Sequence, residues 1–260
     1  MKLLAFDTSA DVMSLAVARD DGKACGLWQM QGQGGAKASS SLIGSVLDLL
    51  KKADLALTEL DAICFGCGPG YFTGLRTACA VAQGLALGAK VPVLPINSLL
   101  ALAEAARHSH LAQASHLGIC AMLDARMDEI YFQRFDYAPA GWTAVHSARL
   151  LRPQDLTLNA APGAPDATVS LVAAGNVFAV YADRLHGIAP AVQRIHALPQ
   201  ATAMLRLAPQ LLAAGQAVTA QQALPVYVRN KVAQTSAERA ALKAAQPQLQ
   251  SQPPTQAVAP

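Results

Sequence analysis

Apolar residues along this chain fall into two rhythms, short continuous runs and longer stretches of helical period. Residues 2–6 (KLLAF) form an apolar run that stops at Asp7-Thr8-Ser9, as a buried strand does. Residues 13–19 predict a second strand, closed by the turn Asp20-Asp21-Gly22. Residues 25–31 predict a third, followed by the loop Gly32-Gln33-Gly34-Gly35. Ser39, Ser40 and Ser41 offer N-cap hydroxyls for a helix running to Lys52. On that helix Leu42, Ile43, Val46, Leu47, Leu49 and Leu50 cover an arc too wide for one packing face. A strand at 62–66, a helix at 74–89, a strand at 91–96 and a helix at 98–108 complete the order βββαβαβα.

The pattern then begins again. Residues 117–123 predict an apolar strand ending at Asp124, and residues 129–135 a strand with Ile130, Phe132 and Phe135 among polar neighbours. In both halves a strand ends in aspartate, a short turn follows, and a second strand runs into a Gly or Pro turn. That symmetry predicts an internal duplication, with a first lobe at 1–108 and a second at 109–232. Within the second lobe, 171–174 followed by Gly175-Asn176 reads as a strand-to-helix turn, 203–214 as a helix and 224–230 as an extended segment. In the tail, 233–260, Thr235-Ser236-Ala237-Glu238 matches a capping box for a helix at 236–245. Residues 246–260 are too poor in apolar side chains to order themselves.

The segment 63–88, ICFGCGPGYFTGLRTACAVAQGLALG, carries the main ambiguity. A strand, a glycine-rich turn (Gly66-Cys67-Gly68-Pro69-Gly70) and a helix in that order aim free backbone N–H groups at a ready anion site. Yet no charge falls between Arg76 and Lys90, and helices apolar nearly all round are buried on more than one side. Gly74, Ala78, Ala82 and Ala86 form a small-residue row, with Leu75, Cys79 and Leu85 beside it. Such a row admits a close neighbouring helix. The segment therefore reads either as a nucleotide cradle or as a protein interface.

Composition narrows the choice. Hydrophobic residues make up 53% of the 260 residues and charged residues 14%, against about 25% charged in an ordinary globular chain. So few charges imply an extensive core or a covered surface. With a net charge of +3 and no basic block longer than two residues, a strong electrostatic footprint for nucleic acid is not indicated, and a weak or shared RNA contact stays open. Asp7 comes too early for a signal peptide, and the longest uncharged stretch, 207–228, holds two Pro and four Gln. A cytoplasmic protein without a membrane span is expected. Five cysteines argue against a disulfide framework. Cys64 and Cys67 make a C-x-x-C pair without the second pair that structural zinc needs.

Several strings together carry a family resemblance. Leu4-Ala-Phe-Asp-Thr-Ser9, Gly68-Pro-Gly-Tyr-Phe-Thr-Gly-Leu-Arg76, Ala82-Gln-Gly-Leu-Ala-Leu-Gly88, Asp124-Ala-Arg-Met127 and Tyr227-Val-Arg-Asn230 resemble the bacterial TsaB family, also called YeaZ. The likeness covers 1–232. It implies an α/β actin-like ATPase fold with two duplicated βββαβα lobes. It also implies a non-catalytic partner of TsaD, the subunit that makes threonylcarbamoyladenosine in tRNA, and of the ATPase TsaE. ATP, magnesium and metal would then belong to the partner subunits, with no cofactor required by this chain.

The residues bear on that implication. TsaD-type enzymes hold a metal with an H-x-x-x-H pair, and its two positions fall here on Ser98 and Leu102, which are poor ligands. His108 and His110, two residues apart, point to different faces of a helix. Active members of the superfamily use D-x-G-x-T/S turns; Asp7-Thr8-Ser9-Ala10 and Asp124-Ala125-Arg126-Met127 both lack the glycine. Asp7, Thr8, Ser9, Gly68, Gly70, Asp124 and Gly175 are expected as remnants of nucleotide loops, with Asp7 and Asp124 open to weak magnesium or simply capping turns.

Leu42, Ile43, Val46, Leu49, Leu50, Leu75, Ala78, Cys79, Ala82, Leu85 and Ala86 are expected at an interface with a TsaD-type subunit or with a second copy in a homodimer. The alternatives are a small-molecule kinase or ATPase of the actin-like fold, or a TsaD-related peptidase. Arg229, Asn230 and Lys231 are candidate phosphate neighbours.

Overall fold

The computed structural model describes residues 1–22, 25–159 and 170–229. The predicted capping box, the tail beyond it, Asn230 and Lys231 lie outside the described residues. Met1–Val228 form one compact unit, and Arg229 begins a second.

Two sheets repeat one topology. The first contains β1 (Lys2–Asp7), β2 (Val12–Asp20), β3 (Cys25–Gln33), β4 (Ala62–Gly68) and β5 (Val93–Asn97) in the order β3-β2-β1-β4-β5. The second contains β6 (Leu117–Asp124), β7 (Ile130–Ala138), β8 (Gly141–Ala144), β10 (Ser170–Gly175) and β11 (Gln193–His196) in the order β11-β10-β6-β7-β8, and β9 (Arg149–Leu151) pairs with β7. Reversed, the second order matches the first strand for strand. Each sheet has an antiparallel meander and a parallel extension. The central strands end in Asp7, paired with Ser14, and in Asp124, paired with Ile130. The predicted duplication is therefore present, with a short strand (GWTA) and a polar one (QRIH) that apolar runs do not reveal.

The helices are α1 (Leu42–Lys52), α2 (Phe72–Ala89), α3 (Ser98–His110), α4 (Val177–Tyr181) and α5 (Ala201–Ala213). The period of two along β1 sends Leu4 and Phe6 to one face, beneath α1 and α2, and Leu3 and Ala5 to the other, beneath α5. Each such buried Leu or Phe contributes about 1.5–3 kcal/mol. It is α3, not α2, that is closed in on both sides. Its Leu99, Leu102, Ala103 and Ala106 pack on β6 and β10, while Ala101 meets the first sheet and α5. Asn97 caps α3, its Oδ1 accepting from the Leu99 and Leu100 amides at 2.8 and 3.1 Å.

The expected serine caps on α1 do not form. Residues 35–40 make a 3-10 helix, and the Ser39 and Ser40 hydroxyls donate back to the Ala36 and Lys37 carbonyls. Ser41 occupies the N-cap position without a side-chain bond. Local bonding of this kind competes with capping for the same hydroxyl.

Candidate functional site

The ends of β1 and β6 lie where the two halves meet, with Tyr71 approaching Asp124 at 3.4 Å and Arg126 reaching Asp11 at 2.8 Å. On the first side, Asp7 is fully enclosed. Its Oδ1 accepts from the Ser9 amide at 2.7 Å and the Ser9 hydroxyl at 2.6 Å, and its Oδ2 accepts from the Ser98 hydroxyl at 2.7 Å. Burial pushes its pKa up, against the lowering effect of those donors. The Thr8 hydroxyl donates to the Gly74 carbonyl at 2.7 Å, and the Tyr71 amide to the Ser9 carbonyl at 2.7 Å. A Cβ on Gly70 would strike Ser9, and one on Gly74 would strike the Thr8 carbonyl. The glycine-rich turn and the Asp7–Ser9 loop thus press on each other. Their glycines serve a contact within the chain, and the same holds for Gly175, where a Cβ would meet the Met122 carbonyl.

On the second side, Asp124 Oδ1 accepts from the Tyr181 hydroxyl at 2.7 Å and the Arg126 amide at 2.8 Å, while the Asp124 amide donates to Asn176 Oδ1 at 2.9 Å. Arg126 meets protein carboxylates. Its Nη2 lies 2.8 Å from Asp11 Oδ1 and its Nε 3.5 Å from Asp124 Oδ2. Its guanidinium stands 4.7 Å over the Tyr71 ring. The Tyr71 hydroxyl donates to Asp11 Oδ2 at 3.1 Å and approaches Asp124 Oδ2 at 3.4 Å. Arg126, Met127 and Asp128 are three consecutive residues at positive φ, +59°, +54° and +60°. The left-handed conformation costs an L residue about 1–2 kcal/mol, whereas an exposed ion pair contributes only ~0–1 kcal/mol.

The metal chemistry of TsaD-type enzymes does not fit these residues. Ser98 Oγ is committed to Asp7, and Leu102 is buried in the core. His108 and His110 sit exposed at the end of α3. Among the described residues no group of three or more His, Cys, Asp or Glu is placed to hold a metal ion. Burial pushes the Cys64 and Cys67 thiols up to about 12, far from thiolate chemistry at neutral pH. The hydroxyls of Ser9 and Ser98 engage a carboxylate, not a histidine.

For the two helices the structure redraws the expected contact set. Leu42, Val46, Leu49, Leu50, Leu75, Ala78, Cys79, Ala82 and Ala86 are buried in the chain's own core, seating α1 and α2 on the first sheet. They cannot meet a partner without opening that core. Leu85 is half-buried, and of the eleven only Ile43 is exposed, at 50%. The outward face belongs to other residues. Leu47 is 50% and Leu87 63% exposed, and Ala80 shares the outer side of α2. Among the described residues a Cβ at Gly44, Gly84 or Gly88 would meet nothing within 4 Å. Among the described residues no helix is long and apolar enough to cross a membrane.

The extended segment after α5 runs beside α2, which its sequence does not foretell. Gln83 Nε2 and Cys79 Sγ hold the Ala223 carbonyl at 2.8 and 3.3 Å. The Val226 amide donates to the Cys67 carbonyl at 2.7 Å. Tyr227 packs on Phe72 with ring centroids 5.4 Å apart, and Arg76 lies 3.9 Å over Phe72. The only sequence signal was that Tyr227 and Arg76 belong to strings of the same resemblance.

The comparisons with known proteins agree with this architecture. The family described as TsaD: tRNA N6-adenosine threonylcarbamoyltransferase matches residues 35–258. The tRNA threonylcarbamoyladenosine biosynthesis protein TsaB of Escherichia coli (strain K12) is 29% identical over 90% of this chain and 96% of its own length. The protein of that name from Haemophilus influenzae is 37% identical over 52% of this chain and 53% of its own length. The solved structure of YeaZ from Pseudomonas aeruginosa superposes with a TM-score of 0.72 at 33% identity, covering 87% of this chain and 99% of that one. With its duplicated sheets, its self-occupied loops and these likenesses, the chain belongs to the TsaD family and, within it, to the TsaB (YeaZ) group.

Proposed function

We propose that the chain takes part in threonylcarbamoyladenosine biosynthesis as a subunit without an active site of its own. It pairs with a TsaD-type catalytic subunit, and with a TsaE-type ATPase, in transfer of the threonylcarbamoyl group to the adenosine beside the anticodon of tRNAs reading codons that begin with A. ATP, magnesium and metal are held by those partners, tRNA contact is indirect or weak, and in isolation the same surface pairs with a second copy.

The observation that carries this reading is the outward face of α1 and α2. Glycine inside a helix costs about 1 kcal/mol relative to alanine, yet among the described residues nothing lies within 4 Å of a Cβ at Gly44, Gly84 or Gly88. A helix laid closely against them supplies the reason. Exposed Ile43, Leu47 and Leu87 supply the apolar area for it. The kinase and peptidase readings have less support, because Asp7, Asp124, Ser9 and Ser98 are already engaged with one another or with neighbouring side chains.

Size-exclusion chromatography of the full chain mixed with a TsaD-type subunit tests the proposal. Co-elution as one species is expected. Separate elution at micromolar concentration contradicts it, as does steady ATP turnover by this chain alone.

A further inference from the structure

We infer that Arg126 is the bolt of a latch that joins the two halves, and that the left-handed run Arg126-Met127-Asp128 is a spring set against it. The bolt crosses from the second half to the first. Its Nη2 reaches Asp11 Oδ1 at 2.8 Å, and its guanidinium lies over Tyr71, whose hydroxyl holds the other Asp11 oxygen at 3.1 Å. The root of the loop is fixed separately, on its own half. The Ala125 amide donates to the Glu129 carbonyl at 2.9 Å, the Glu129 amide to the Arg126 carbonyl at 3.2 Å, and the Arg126 amide to Asp124 Oδ1 at 2.8 Å. Arg184 pairs with Asp128 at 2.8 Å on the same side.

Two terms oppose each other in this arrangement. Three successive left-handed residues without glycine persist only where their surroundings over-determine them. The contact between the halves is the weak member of those surroundings. The Arg126 and Asp11 side chains are 58% and 64% exposed, so water and salt both reach the pair. Strain favours release, and the latch adds its small share to the anchors at the loop's root that favour closure. The closed arrangement is then one of two accessible states. Any molecule that binds at the exposed Asp11 or Arg126 shifts the balance by its differential affinity for the two states.

Hydrogen exchange of the full-length chain, followed by mass spectrometry, reads this directly. Asp11→Ala removes the receiving carboxylate without touching the strained loop. It should speed exchange at 71–76 and at 124–130 by about three- to tenfold, with β1 and β4 unchanged. Arg126→Ala breaks the same contact from the other side and must accelerate the same two segments. Added salt should speed 71–76 in the parent chain and not in the variants, whereas 124–130 keeps the Arg184–Asp128 pair in all of them. Met127→Gly relieves strain and keeps the bolt, so it should slow exchange there. Unchanged exchange in Asp11→Ala and Arg126→Ala, or faster exchange in Met127→Gly, overturns the proposal.

Discussion

Arg76 donates from Nε to the Tyr227 hydroxyl at 3.2 Å, across 151 residues of chain. Together with the stacking of Tyr227 on Phe72 and the bond from the Val226 amide to Cys67, it fastens the last described segment over the first turn of α2. Tyr227→Ala should cost about 1–2 kcal/mol in urea unfolding. Tyr227→Phe, which loses only the hydroxyl, should cost about 0.5–1 kcal/mol, because the side chain is partly in water. Equal costs for the two variants would mean that the ring contributes nothing.

Glu104 ties three elements together. Its carboxylate takes bonds from Arg107 on its own helix, from Arg206 on α5 at 2.8 Å, and from Trp142 Nε1 at 3.2 Å. Burial alone would raise its pKa, but the two guanidiniums outweigh it and hold the group below 4.5. A lowered carboxylate contributes stability above its unfolded value, and that stability is lost as pH falls through the folded one. Glu104→Gln should therefore cost about 2 kcal/mol at neutral pH, with the gap closing as pH drops below 4.5. A gap independent of pH would rule out the ionic account.

Asp7 has the opposite sign. Its pKa is raised from 3.8 by burial, so the folded state favours the protonated form. Stability is then given up as pH rises from 3.8 through the folded value. Asp7→Asn keeps an oxygen for the two Ser9 donors and removes the titration. The variant should match or exceed the parent's melting temperature at neutral pH and lose the decline with pH. A variant markedly less stable at neutral pH, with the decline intact, would show the carboxylate to be stabilising as an anion.

The outward glycines separate folding from pairing. Gly84→Ala meets open space within the chain and should raise its stability by up to about 1 kcal/mol. Ala82→Glu, by contrast, forces a charge into the core beneath α2 and should unfold the chain. A folded, soluble Ala82→Glu protein would contradict the assignment of that face to the core.

The sequence and the structure agree where local chemistry decides. Both central strands stop at an aspartate, so the duplication could be read from Asp7 and Asp124. They part where small residues leave a helix face unmarked. Ala78, Ala82, Gly84 and Gly88 differ little in polarity, and only the packing on β1 and β4 separates inner from outer. The latch was hidden for a different reason. Left-handed backbone is usually announced by glycine, and Arg126-Met127-Asp128 contains none. The run over α2 from Ala223 to Tyr227 is a long-range contact, which local periodicity does not carry.

The central claim is that the outer side of α1 and α2 is where this chain meets its partner. Isothermal titration of the full chain into a TsaD-type subunit, comparing the parent with Gly84→Arg, tests it most directly. Both proteins should melt within a few degrees of each other, and the arginine should weaken binding by at least about a hundredfold, the effect of ~2.7 kcal/mol. Equal affinity for the folded Gly84→Arg protein would place the partner on another surface.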